Sequence, residues 1–145
     1  MPEARPRVGL FVTCLVDMMR PSIGFAAVKL LEDAGCRVEV PDTQTCCGQP
    51  AYNSGDKADA VTLARNIIAA FRGFDYVVAP SGSCAGMIVK HYPELFAEGT
   101  ADHAAAVELG HRTYELVSFL TRVMKVQKVD AQFAARATYH DSCYG

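Results

Sequence analysis

The chain has 145 residues, half of them hydrophobic, and a formal net charge of -2. That length and apolar content support one self-sufficient core, while Lys and Arg scattered singly give no basic field for nucleic acid. The opening Met1-Pro2-Glu3-Ala4-Arg5-Pro6-Arg7 lacks the apolar core and cleavage site of a secretory leader, and the apolar run Val8 to Val16 is about half the length of a membrane helix, so a cytoplasmic protein that does not span a membrane is expected.

A first strand is predicted over Arg7 to Thr13, an apolar and β-branched run that ends at Cys14. A helix follows from Pro21, which suits a first helical position, carries Ile23, Ala27, Leu30, Leu31 and Ala34 on one face, and stops at Gly35. Strand two, Arg37 to Val40, halts at Pro41 and leads through a polar loop to Cys46-Cys47-Gly48-Gln49-Pro50. Helix two opens near Ser54 and presents Ala60, Ala64, Ile67, Ile68 and Phe71 at helical spacing. Strand three, Asp75 to Pro80, runs into Ser81-Gly82-Ser83-Cys84-Ala85-Gly86. The third helical stretch is broken, with a short segment after Gly86 ended by Pro93 and a longer one from Ala101 to Lys125. Its inward stripe is Leu116, Val117, Leu120, Val123 and Met124. A fourth strand, Ala135 to His140, arrives at Cys143.

Strands alternating with helices imply an α/β, Rossmann-like single domain: a parallel sheet of about four strands with flanking helices, since parallel neighbours need crossover connections. All strands then point one way, and residues just past their ends share the C-terminal rim where ligands sit. Cys14, Cys46, Cys47, Cys84 and Cys143 meet that condition. Cys36, immediately before strand two, belongs to the opposite rim and reads as a small buried thiol.

Thiols on one rim admit three readings: core residues, disulfides or metal ligands. A reducing cytoplasm disfavours disulfides. Thiolates are soft ligands that hold iron-sulfur clusters and zinc, and both need several sulfurs together. Adjacent side chains tend to point apart, so the pair Cys46-Cys47 suits a multi-iron core better than one tetrahedral ion. Gly48 permits a positive φ or close backbone approach, and Pro50 stiffens the exit. His140 is a candidate donor to a cluster sulfur, although a strand-end histidine without such a role is the plainer reading. No role follows for His91, His103 or His111.

The spacing, with 31 residues between Cys14 and Cys46 and 36 between Cys47 and Cys84, resembles the cysteine-rich CCG domain. That domain occurs as a tandem repeat in the heterodisulfide reductase B subunit, the glycolate oxidase iron-sulfur subunit and the lactate-utilisation iron-sulfur proteins. Pro80-Ser81-Gly82-Ser83-Cys84-Ala85-Gly86-Met87 and Tyr139-His140-Asp141-Ser142-Cys143 look most like the last group. The resemblance implies an iron-sulfur cluster of 4Fe-4S type held by Cys14, Cys46, Cys47 and Cys84, with Cys143 serving this site or a second one. It implies electron transfer within an oxidoreductase complex that oxidises L-lactate to pyruvate, or a related 2-hydroxy acid such as glycolate, with further subunits as partners. No catalytic residue is expected in this chain itself. Residues 1–137 would form the first repeat and 138–145 the opening of a second, and the face left open would let the chain self-associate as a homo-oligomer. One departure is Met87, which stands where the family often closes with Cys-x-x-Cys, and a thioether is a poor iron ligand.

Two other classes compete. Cys14 to Arg20 fits C-x5-R after a strand, resembling the phosphate loop of cysteine phosphatases and arsenate reductases. Such a loop needs small residues to wrap an anion, and Leu15, Val16, Asp17, Met18 and Met19 are wrong for it. A zinc-stabilised interaction module without redox role would use Cys14, one of the vicinal pair, Cys84 and Cys143.

Overall fold

The structure, a computed structural model, describes residues 4–140. Four parallel strands form one sheet in the order β2-β1-β3-β4, with β1 at Arg7–Leu10, β2 at Arg37–Glu39, β3 at Tyr76–Ala79 and β4 at Thr113–Glu115. The chain steps outward from β1 to β2, then back across β1 to β3. Connections leaving β1 and β3 therefore diverge, and their C-terminal ends flank the crevice where α/β sheets receive ligands.

Strand alternation builds two cores. Val8, Leu10 and Val78 face α2 (Pro21–Asp33) and the helical turn at Phe119–Val123, meeting Ala27, Leu31, Cys36 and Phe119. Val77 and Ala79 face the opposite layer, built from α4 (Lys57–Ala70), α6 (Ala101–His111) and the segment that joins β3 to α6. Gly9 alternates onto this second face, where Phe71 crosses it: a Cβ there would stand 2.7 Å from the Phe71 ring.

The expected α/β domain is present, and its first three strands sit where the sequence places them, shortened at their ends. Helix α2 begins at Pro21 and closes on Gly35 at φ 96. Ala27 and Leu31 are buried, but Ile23 is exposed and Gly24 takes the inward place. Helix α4 starts later than expected, where Asp56 accepts a hydrogen bond from the Asp59 amide, because Gln49–Asn53 forms a short helix α3 of its own. Ala60, Ala64, Ile67 and Phe71 are fully buried, as their spacing predicts.

The fourth strand corrects the sequence reading. Ala135 to His140 is exposed and has no regular structure. The strand is instead Thr113–Glu115, inside the stretch expected to be one long helix, and it pairs in register with Val77, Val78 and Ala79. The Thr113 hydroxyl donates to the Leu109 carbonyl at 2.7 Å, and the Glu115 carboxylate accepts from the Val117 and Ser118 amides, starting α7 at Leu116–Ser118. The break rotates the apolar stripe. Phe119 and Leu120 are buried, whereas Val117 is exposed.

Candidate metal centre

Cys14 opens a short helix α1, Cys14–Met19, because the Thr13 side chain accepts from the Val16 amide. Its thiol is exposed at the end of β1. The Gln44 side chain then continues the sheet by proxy. Its oxygen accepts from the Val12 amide at 2.9 Å, and its nitrogen donates to the Leu10 and Pro41 carbonyls at 3.1 and 2.9 Å. Those bonds pull the loop after β2 against the end of β1 and bring Cys46 beside Cys14, close enough for their thiols to interact.

The turn at the vicinal pair needs Gly48, which sits at φ 88 with its amide donating to the Cys46 sulfur at 3.5 Å. The two thiols diverge as adjacent side chains tend to. Cys46 turns to Cys14, while Cys47, only 4% exposed, turns into the core and meets Cys84 with its sulfur 3.7 Å away. Cys84 lies in α5, Gly82–Gly86, whose start is capped by the Ser81 hydroxyl. A cleft of about 370 Å³ opens beside Cys14 and Cys46, walled by Val12, Asp17, Met18 and Pro41.

The two inner thiols share a proton unequally. The hydrogen bond from Cys47 holds Cys84 down at about 6 against the cost of burial, with the Ser81 and Ser83 hydroxyls adding to it. Cys47 is pushed far up by giving that bond and by burial. Burial, then the neighbouring Cys46, raises Cys14. Metal-free protein is therefore expected to react with iodoacetamide at Cys84 along a titration centred near about 6 instead of 9.0. Between those values the unfolded chain binds more protons than the folded one, so this group's contribution to stability rises with pH and is lost as pH falls to about 6. Urea melts of reduced protein across that window check the sign, and a Cys84 alkylation curve centred near 9.0 would contradict the assignment.

Cys14, Cys46, Cys47 and Cys84 thus come together at the rim of β1 and β3. Cys143 lies outside the described residues. Cys36 is buried on the opposite side of the sheet among Val8, Leu31 and Phe119, as a core thiol. A lone zinc ion needs its sulfurs all within about 2.3 Å of one point. Among the described residues no three His, Cys, Asp or Glu side chains are grouped to hold a single ion. The four thiols are soft donors and lie as two close pairs, Cys14 with Cys46 and Cys47 with Cys84. The phosphate-loop reading fails on geometry: Cys14 to Met19 is helical, and the Val16, Asp17 and Arg20 amides are spent on Thr13 and Val16.

Two contributors carry no motif. Gln44 is a polar residue in a polar loop, and Tyr92 is an aromatic in a helical stretch. Gln44 acts through three bonds to backbone groups, at Leu10, Val12 and Pro41, and Tyr92 through one, to the Cys47 carbonyl.

The sequence profile of a family described as the CCG cysteine-rich domain matches residues 8–89. The chain is 50% identical over 138 residues to Lactate utilization protein A of Geobacillus kaustophilus, covering 95% of this chain and 57% of that protein. It is 49% identical over 138 residues to Lactate utilization protein A of Bacillus licheniformis, covering 95% and 58%. Against Lactate utilization protein A 1 of Bacillus mycoides the identity is 48% over 139 residues, covering 95% and 56%. The chain thus spans a little over half the length of these relatives. No solved structure matches it.

Proposed function

This chain belongs to the CCG cysteine-rich domain family, and we propose that it is an iron-sulfur electron-transfer domain of a cytoplasmic system that oxidises L-lactate to pyruvate. The observation that carries the reading is the meeting of Cys14, Cys46, Cys47 and Cys84 at the sheet's crevice. The shared name of the relatives supplies the substrate class. Among the described residues no helix is long and apolar enough to cross a membrane.

These four cysteines would hold the cluster, of 4Fe-4S type, which when bound supplies one-electron redox chemistry. The chain's own part is to present thiolates and tune them. Cys84 is already poised to lose its proton, whereas Cys47 must give its proton up on binding. Hydrogen bonds from the Gly48 amide to Cys46, and from the Ser81 and Ser83 hydroxyls to Cys84, draw charge from the sulfurs. Such bonds raise the potential of a thiolate-held centre. Oxidising lactate to pyruvate releases two electrons and two protons per molecule, and the electrons would pass through the exposed Cys14 side of the rim to further subunits. Residues 138–145 would open a second repeat, with Cys143 serving this site or the next.

Anaerobic reconstitution followed by iron, sulfide and zinc assay, with EPR of the dithionite-reduced protein, tests the reading. Comparable iron and sulfide with a reducible signal is the expected result. Stoichiometric zinc without iron or sulfide would overturn it.

A further inference from the structure

We propose that Tyr92 is the positioning residue of the vicinal-cysteine turn, its hydroxyl fixing the Cys47 peptide so that the Cys47 thiol is held toward Cys84. The role concerns the same cysteine site and rests on the reading above only in what the site finally binds.

Tyr92 is fully buried, and its hydroxyl donates to the Cys47 carbonyl at 2.7 Å. A buried phenol needs a partner for its O–H, and a buried carbonyl needs a donor. Each supplies the other across 45 residues of sequence. Cys84 and Tyr92 lie on one helical segment, α5 followed by a π turn at Met87–His91, with the Tyr92 amide donating to the Met87 carbonyl. An uninterrupted α-helix would turn Tyr92 about 80° away from Cys84. The wider π turn offsets most of that rotation, so one segment presents both groups to the same turn. Turns of this kind recur at functional sites.

The segment grips the loop in three places. Cys84 meets the Cys47 sulfur at 3.7 Å, Tyr92 holds the Cys47 carbonyl, and the Glu94 carboxylate accepts from the Tyr52 hydroxyl at 2.8 Å. Tyr52 belongs to α3, which begins directly after Gly48. The Tyr92 hydroxyl bonds to the Cys47 carbonyl and to no sulfur, so its hydrogen bond acts on the site through the backbone of Cys47.

The test uses metal-free, reduced protein and Tyr92→Phe, which keeps the ring and removes only the hydroxyl. Alkylation by N-ethylmaleimide is followed at each cysteine by peptide mass spectrometry. Cys47 is expected to react about tenfold faster in the variant, the scale of losing one buried hydrogen bond, while Cys36, equally buried but on the other side of the sheet, keeps its rate. Replacing Tyr92 by 4-aminophenylalanine, which retains a donor, restores the slow rate. An unchanged Cys47 rate, or equal acceleration at Cys47 and Cys36, would overturn the proposal. Failure of the wild-type protein to take up iron and sulfide would sink the electron-transfer reading alone, since these rates judge Tyr92 without any cluster.

Discussion

Cys47→Ala is expected to abolish uptake of iron and sulfide while leaving the far-UV circular dichroism nearly unchanged. Cys47 is the innermost of the gathered thiols, 4% exposed and packed against Cys84. No other described cysteine can replace it from that side of the turn, because Cys46 is committed toward Cys14. As packing, the thiol is a small hydrophobe, and trimming it to alanine costs about 1 kcal/mol. The fold therefore persists while the donor set is broken. A second reading comes from the metal-free variant. Without the hydrogen bond from Cys47, Cys84 loses the main cause of its low value of about 6 and becomes slower to alkylate at neutral pH. A Cys47→Ala protein retaining full iron content would remove Cys47 from the ligand set.

Phe71→Ala acts on the opposite link, stability without donor chemistry. The Phe71 ring is fully buried, lies across Gly9, and packs on Phe11 and Phe74 with centroids 5.8 and 6.1 Å away. Gly9 has no side chain to move into the space, so the cavity cannot close from below. Truncation of a buried phenylalanine costs about 3–5 kcal/mol, a large share of the roughly 5–15 kcal/mol that holds a domain of this kind folded. Urea unfolding should show a midpoint far below wild type with an unchanged slope. Iron bound per folded molecule should match wild type, since Phe71 offers no donor atom to a metal. A small shift in midpoint would mean that the layer beneath β1 repacks.

How far the site was legible in the sequence depends on what positions each residue. Cys14, Cys46, Cys47 and Cys84 were readable because each follows a strand of a parallel sheet, and parallel strands deliver their ends to one rim whatever the side chains between them. Gly48 was readable for its backbone freedom, and it sits at φ 88. Gln44 was not, because its work is to fill ladder positions that β1 leaves open, a demand made by the neighbouring strand. Tyr92 was not, because nothing local announces that a π turn will aim it at a carbonyl 45 residues away.

The fourth strand marks the same boundary. Residues from Ala101 to Lys125 carry apolar side chains at helical spacing, and a three-residue interruption barely disturbs such a pattern. Thr113–Glu115 is extended because the open edge of β3 offers amides and carbonyls to pair with. Local propensity alone would not hold so short a strand. Ala135 to His140, which reads locally as a strand, pairs with no strand among the described residues and stays exposed.

By itself, then, the sequence determined the α/β class, the first three strands, the burial of α4 through Ala60, Ala64, Ile67 and Phe71, and the meeting of Cys14, Cys46, Cys47 and Cys84 at one rim. Each follows from periodicity or strand direction, which are local properties of the chain. Tertiary structure alone decided which strand closes the sheet, how the vicinal thiols divide between Cys14 and Cys84, and that Tyr92 and Gln44 hold the loops that carry them. Those outcomes depend on single hydrogen bonds and unpaired strand edges between segments far apart in sequence. Such contacts exist only once the sheet has assembled.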